Sequence, residues 1–166
     1  MYLDSETTIF HKRLTEFPLV TYQAGDTVIA TGSRTGRLLM LRRGGVAIVK
    51  DAVEIARVTE AGAVFGELSA LLDQPHSADV RALETSKFHV ADAALLLNDP
   101  VALLCIAAVL ARRLDGANRA FIELKGQIQA GQPSSAINKT VEKIEELLGP
   151  GGAVSVDVSY PCDPNA

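Results

Sequence analysis

Short apolar runs separated by glycines or acids fill the first half of the chain and constrain its fold more than any other feature. The runs occupy residues 19–22, 27–30, 37–41, 46–49, 54–58, 80–83 and 87–90, with turn residues Gly25-Asp26, Gly32, Gly44-Gly45, Asp51 and Gly62 between them. Runs of this length between turn residues predict β-strands. Because they are evenly spaced and no βαβ rhythm is present, we predict an antiparallel β-roll or jelly-roll barrel, hence a mainly β member of the α+β class.

The spacing of the apolar residues changes from strand-like to helical at both ends of this region. At the N-terminus, residues 5–14 predict a short helix with Ser5 as its cap. After the strands, Asp92 is expected to cap a helix over 93–97, and Pro100 is expected in the first turn of a long helix over 100–125. Residues 126–136, with two Gly, one Pro and two Ser, are predicted to be a linker.

The chain is therefore predicted to contain a domain at 1–125, the linker 126–136, and a C-terminal amphipathic helix and tail at 137–166. Ser135 is the expected cap of that last helix, and the glycines after residue 148 are expected to end it. Residues 154–160 alternate as an exposed strand would, and they are open to two interpretations, an added edge strand or a disordered tail.

The long helix carries an apolar stripe at alternating spacings of four and three residues. Its members are Leu103, Ala107, Leu110, Leu114, Ala117, Phe121, Leu124 and Ile128. This spacing over about four heptads is typical of a coiled coil and predicts a homodimer through helix 100–128. The alternative is that the stripe packs only on the protein's own β-roll.

Composition excludes several function classes. The net charge is −4, and residues 126–166 contain no cluster of Lys or Arg, which argues against DNA binding. The first six residues are acidic and polar, unlike a secretory signal, and the longest apolar run, 101–111, is too short to span a membrane. With two cysteines, Cys105 and Cys162, in no disulfide or metal-binding pattern, a cytoplasmic protein without a metal or other cofactor is expected.

The strongest candidate for a binding site is formed by two segments. Residues 64–72 read Val-Phe-Gly-Glu-Leu-Ser-Ala-Leu-Leu, and residues 75–82 read Pro-His-Ser-Ala-Asp-Val-Arg-Ala. Gly66 lacks a Cβ, so an anion can approach its backbone, and the N–H groups of Glu67, Leu68 and Ser69 would be unpaired at the start of a short helix. The apolar members Phe65, Leu68, Leu71 and Leu72 are predicted to anchor this segment in the core.

These segments resemble the phosphate-binding cassette of cyclic-nucleotide-binding domains, as found in the cyclic-AMP receptor protein and protein kinase A regulatory subunits. Together with the glycines at 25, 32 and 44, the resemblance covers residues 15–125. It implies that the start of the short helix holds a cyclic phosphate and that Glu67 accepts a hydrogen bond from the ribose 2′-hydroxyl. Ser77 would offer its hydroxyl and Ala78 its N–H. The other interpretation of Glu67 is a solvated acid that complements a helix N-terminus.

His76 departs from this family pattern, which places an arginine there to pair with the phosphate. Histidine offers one hydrogen bond and is only partly charged at neutral pH. Three interpretations follow: His76 is a conditional cation, the cavity binds another ligand or none, or the phosphate charge comes from Arg34, Arg37 or Arg81.

The predicted function is a regulatory module that binds cyclic AMP, cyclic GMP or a related small anion and signals through its C-terminal helices to a protein partner. The alternative is a degenerate cassette that binds no nucleotide and serves as a dimerising interaction domain. No catalytic motif is found, so no enzymatic activity is expected. Because residues 126–166 show one helix and no helix-turn-helix, a stand-alone domain without a DNA-binding unit is expected. Candidates for base discrimination are Asn118, Arg119 and Glu123.

Overall fold

The structure, a computed structural model, describes residues 12, 13 and 15–148, with side chains described as far as residue 144. Within these residues the structure has eight strands: β1 Leu19–Tyr22, β2 Thr27–Ile29, β3 Arg37–Arg43, β4 Val46–Lys50, β5 Val53–Val58, β6 Val64–Phe65, β7 Asp79–Ala82 and β8 Ser86–Asp92. The helices are α1 Glu67–Leu72, α2 Ala93–Leu97, α3 Pro100–Gln129 and α4 Ser134–Leu148. The predicted N-terminal helix and the tail from residue 149 lie almost entirely outside the described residues.

Two four-stranded antiparallel sheets face each other, with strand orders β1-β8-β3-β6 and β2-β7-β4-β5. Long-range pairings close them into a roll; for example, Leu39 of β3 pairs with Val90 of β8, and Ile48 of β4 pairs with Val80 of β7. The predicted mainly β, α+β roll is confirmed, and every predicted strand is present within one to two residues at each end.

Strand β3 is buried on both faces because it separates two hydrophobic cores. Leu39 and Leu41 contribute to the core between the sheets, together with Phe65 and Phe88, whose rings meet edge to face at 5.9 Å between centroids. The alternate residues Leu38 and Met40 contribute to a second core under the helices, which includes Ala102, Cys105 and Ile106 of α3. A strand covered on both faces needs a continuous apolar run, and residues 38–41 supply it.

Side-chain caps fix where the helices after the roll begin. Asp92 accepts a hydrogen bond from the Ala94 N–H at 2.8 Å, as predicted. Asp99 accepts one from the Val101 N–H at 2.9 Å, with Pro100 in the first turn of α3, where its missing N–H costs nothing. These two caps set the direction in which α3 leaves the roll and returns past the cassette.

The segment 126–136, predicted to be a linker, is mostly helical. Helix α3 continues through Gly126 to Gln129 and α4 begins at Ser134, so that only residues 130–133 connect them. The two helices pack as a hairpin, in which the Thr140 hydroxyl donates to the Gln127 side chain at 2.9 Å. Gly126 does not end the helix because this packing outweighs the roughly 1 kcal/mol cost of a helical glycine. Helix α4 also contacts strand β5.

No helix within the described part of the chain is both long and apolar enough to cross a membrane.

Candidate functional site

The two cassette segments enclose one open cavity of about 330 Å³, which we call the cassette cavity. All seven residues of the predicted site line it, namely Gly66, Glu67, Leu68, Ser69, His76, Ser77 and Ala78. They come together because α1 starts directly after β6, while the turn 74–78 leads into β7. A cavity of this size lies at the small end of the range for small-molecule sites.

Gly66 is required by the backbone of the cassette. It caps α1 with a φ of 91°, a conformation that side chains rarely adopt. A Cβ at this position would lie 2.6 Å from the carbonyl oxygen of Arg37. The absence of a side chain at Gly66 therefore makes room for the neighbouring strand β3, and it also leaves the backbone open to a ligand.

Glu67 is buried and paired, so the interpretation as a solvated acid is wrong. Its side chain is only 4% exposed, and its Oε1 accepts a hydrogen bond at 2.7 Å from the guanidinium of Arg113, which is 9% exposed. Arg113 lies in the middle of α3, and the pair ties this helix to the cassette. A carboxylate accepts several hydrogen bonds, so Glu67 retains the capacity to accept one from a ligand.

The sequence analysis missed Arg113 as a site residue. It lies off the apolar stripe, among several charged residues of a 30-residue helix, and such residues usually face solvent. The helical spacing of the sequence held the available signal, because Arg113 shares a helical face with four residues that are all buried, namely Ala102, Ile106, Ala117 and Ala120. A charged residue on a face of small and apolar residues indicates a buried partner.

The expected anchoring of α1 by its leucines is wrong. Leu68, Leu71 and Leu72 are between 40% and 61% exposed, and of the four predicted anchors only Phe65 is buried. Helix α1 is held instead by Ala70, which packs on the second core under the helices, and by the Ser69 hydroxyl, which donates to the Gln74 carbonyl at 2.6 Å.

His76 is buried in the wall of the cassette cavity. Its Nε2 lies 2.9 Å from the Thr35 hydroxyl. Its backbone N–H donates to the Ser33 carbonyl, and its carbonyl accepts from Gly32. Burial lowers the pKa of the His76 imidazole below the usual histidine range, so the neutral form prevails at neutral pH in the free protein.

The arginines suggested as substitutes for a phosphate partner do not line the cassette cavity. Arg34 and Arg37 lie along a second hollow on the other side of α1, where Arg34 bonds to Asp73 at 3.0 Å. Arg81 bonds to Asp79 at 2.9 Å, and the pKa of that carboxyl is lowered by the Thr31 N–H and by Arg81. The interpretation that assigns the phosphate charge to these arginines is therefore not supported by their positions.

The cassette cavity has a lining that the sequence analysis did not identify. Apolar side chains from both sheets form part of its wall, namely Ile29, Ile48, Ile55, Phe65 and Val80. Lys50, the last residue of β4, also lines it. The candidates for base discrimination do not line it: Arg119 pairs with Asp115 and Glu123 pairs with Lys143. Among the described residues no group of three or more potential metal ligands occurs.

The stripe on α3 is covered only in part by the protein itself. Ala117 is buried, and Leu110 and Leu124 are half-buried. Leu114, Phe121 and Ile128 are 57–62% exposed, and Leu103 and Ala107 are also exposed. The interpretation in which the whole stripe packs on the roll is therefore wrong for most of its members.

Comparison with known proteins identifies the domain. Residues 19–98 match the family model described as the cyclic nucleotide-binding domain. This part of the chain is therefore a member of the cyclic nucleotide-binding domain family, and the resemblance seen in the sequence is confirmed.

Solved structures agree on the fold. A structure of Sp-2Cl-cAMPS bound to the second cyclic-nucleotide-binding domain of a protein kinase A regulatory subunit aligns with a TM-score of 0.56 and 20% identity, covering 81% of this chain and 91% of that one. A cAMP-bound PfPKA-R structure aligns at 0.54 and 20%, covering 81% and 47%. A putative cyclic nucleotide-binding protein from Geobacter metallireducens aligns at 0.51 and 22%, covering 61% and 83%.

A curated relative is similar over a shorter stretch. Glutaminase 1 of Bradyrhizobium diazoefficiens is 46% identical over 63 residues, which are 37% of this chain and 10% of that protein. Since the chain spans only a tenth of this relative, the match identifies a shared segment and does not extend to the activity of the whole protein.

Proposed function

We propose that this chain is a regulatory module that binds a cyclic nucleotide, cyclic AMP or cyclic GMP, in the cassette cavity and reports its occupancy through helices α3 and α4. The observation that carries this proposal is the open cavity that brings all seven cassette residues together. Membership of residues 19–98 in the cyclic nucleotide-binding domain family supports it. The proposal assigns the chain binding and no catalysis.

The ion pair between Glu67 and Arg113 offers the route from ligand to helix. A ribose hydroxyl donating to Glu67 would share this carboxylate with Arg113, which belongs to α3. Binding then changes the energy of the contact that fixes α3 against the cassette. Such a ligand shifts the helices only by its difference in affinity for their two arrangements.

Helix α4 is the proposed output surface toward a protein partner. It packs along the C-terminal half of α3, where Lys143 pairs with Glu123 at 3.3 Å, and it also contacts β5. Because Ile55 of β5 lines the cassette cavity, α4 is in contact with elements on two sides of the ligand. A movement of α3 would therefore be transmitted to α4 directly.

A thermal shift measurement tests the proposed binding. With a ligand present at about a hundred times its dissociation constant, a protein gains roughly 2.7 kcal/mol, which for a chain of this size raises the melting temperature by about 5–11 °C. We expect such a rise with millimolar cyclic AMP or cyclic GMP and none with the same concentration of ribose 5-phosphate. An unchanged melting temperature with both cyclic nucleotides would contradict the proposal.

A second candidate function is a dimerising interaction domain whose cassette binds no nucleotide. The neutral His76 in place of the family arginine favours it, since a charged partner for the phosphate is worth about 1.5–3 kcal/mol. The variant His76→Arg separates the two functions. A gain in cyclic-nucleotide affinity would show that only a charge is missing, whereas no binding by either form would favour the interaction domain.

Both candidates include a homodimer through α3. The exposed row of Leu114, Phe121 and Ile128 supports it, because these residues lie about 60° to 100° around the helix from Arg113 and its buried face. We expect Phe121→Glu to shift the protein to a monomer in sedimentation velocity. The control is Arg112→Glu, a charge change at an exposed position on the side of α3 away from the stripe, which should leave the oligomeric state unchanged.

A further inference from the structure

We propose that Lys50 is the anion-binding cation of the cassette cavity, the residue that takes the place of the missing family arginine. This inference rests on the proposed function and names a residue of the same site. The charges of the cavity wall support this role. Glu67 is compensated by Arg113, and His76 has a lowered pKa and is neutral. Among the described residues that line the cavity, Lys50 is the one remaining charged residue.

The position of Lys50 on its strand also supports this role. Successive side chains of a strand point to opposite faces, so Lys50 follows Ile48 on the same face of β4. Ile48 is completely buried and lines the cavity, whereas Lys50 is exposed and lines it as well. Lys50 therefore lies where the apolar wall meets the exposed surface, and its flexible four-carbon stem allows the ammonium to meet an entering anion.

The acids at this end of the two strands beside β4 are paired with arginines and not with Lys50. Glu54 pairs with Arg57 and Asp79 pairs with Arg81. Within the described residues, the Lys50 ammonium forms no hydrogen bond and no ion pair. An unpaired cation at the rim of an apolar cavity favours a ligand with an apolar body and one negative group.

The hairpin turn after Lys50 fixes the position of the Lys50 backbone relative to the cassette cavity. Lys50 pairs with Val53, so the turn consists of Asp51 and Ala52 alone, both with positive φ as in a type I′ turn. The register shifts between Ile48 and Val49, so that Ile55 lies opposite no residue of β4. A tight turn and a bulge of this kind hold the end of the strand in a defined position at the cavity.

The experiment compares a charged ligand with its uncharged counterpart on the full chain. Binding of cyclic AMP and of adenosine is measured by isothermal titration calorimetry for the wild type, Lys50→Gln and Lys50→Arg. We expect Lys50→Gln to weaken cyclic AMP about tenfold and to leave adenosine unchanged, while Lys50→Arg retains cyclic AMP binding. The dependence of cyclic AMP affinity on salt should also decrease in Lys50→Gln.

The matched control is Lys87→Gln, an exposed lysine of β8 that does not line the cavity, and it should change neither affinity. Equal cyclic AMP affinity in Lys50→Gln and the wild type would overturn the role of Lys50 and leave the proposed function standing. Equal losses for cyclic AMP and adenosine would overturn it too, since they would indicate an altered cavity shape. Absence of cyclic-nucleotide binding by the wild type and His76→Arg would overturn the proposed function and the role of Lys50 together.

Discussion

Removing one partner of the Glu67–Arg113 pair is expected to be the most destabilising single change at the site. The variant Arg113→Met keeps most of the volume and the apolar contacts of the side chain but leaves a buried carboxylate without its cation. Loss of one member of a buried pair costs about 3–5 kcal/mol. For a chain of this size that is a fall in melting temperature of roughly 6–20 °C.

The double variant decides whether this cost comes from the unpaired charge. Replacing a buried pair by apolar residues of similar volume is often neutral or stabilising. We therefore expect Glu67→Met combined with Arg113→Met to recover most of the loss in urea unfolding followed by circular dichroism. The resulting coupling energy should be about 2–4 kcal/mol.

An exposed pair provides the control for this cycle. Arg57 and Glu54 form an ion pair with side chains 65% and 41% exposed, and Arg57→Met should cost no more than about 1 kcal/mol. If Arg113→Met cost as little as Arg57→Met, then Glu67 would not be held desolvated by α3. The proposed route from the cassette to the helices would then be refuted.

Three further predictions concern the backbone and the pH response. Gly66→Ala should destabilise the protein by at least about 2 kcal/mol in chemical denaturation, because its Cβ meets the Arg37 carbonyl at a positive φ; a fully stable variant would disprove this packing. Ala52→Gly should stabilise it by about 0.5–1 kcal/mol, since alanine is strained at a φ of 65°, and a loss of stability would contradict a type I′ turn. Burial lowers the pKa of His76 in the folded state. Below about pH 6.5 the unfolded chain therefore binds more protons than the folded one, and the free energy of unfolding decreases as the pH is lowered. His76→Gln should reduce that fall in urea titrations at pH 5.5 and 7.5, and an identical pH response would rule out His76 as its source.

The β-roll could be predicted from sequence because its signals are local. Each strand is bounded by turn residues, and the continuous apolar run at 38–41 also indicated a strand, although its burial between two cores depends on tertiary packing. The end of α3 could not be predicted in this way. Gly126 and Pro133 favour a break, but contacts between α3 and α4 keep residues 126–129 helical.

The cassette was only partly predictable for the same reason. Its seven residues lie in two short segments with a recognisable order, so the sequence placed them together. Arg113 lies 46 residues after Glu67 in the chain, and Lys50 lies 16 residues before Gly66. Neither belongs to a motif, and their roles depend on which faces the helix and the hairpin present to the cavity.

The shared strand β3 divides the molecule into two layers that need not lose order at the same time. One core lies between the sheets and the other lies between β3 and the helices. The helical layer depends on small and aliphatic contacts and on the buried Glu67–Arg113 pair, whereas the sheet layer is closed by strand pairing and aromatic rings. Amide protons of α3 should therefore exchange through a sub-global opening that leaves those of β3, β4 and β7 protected.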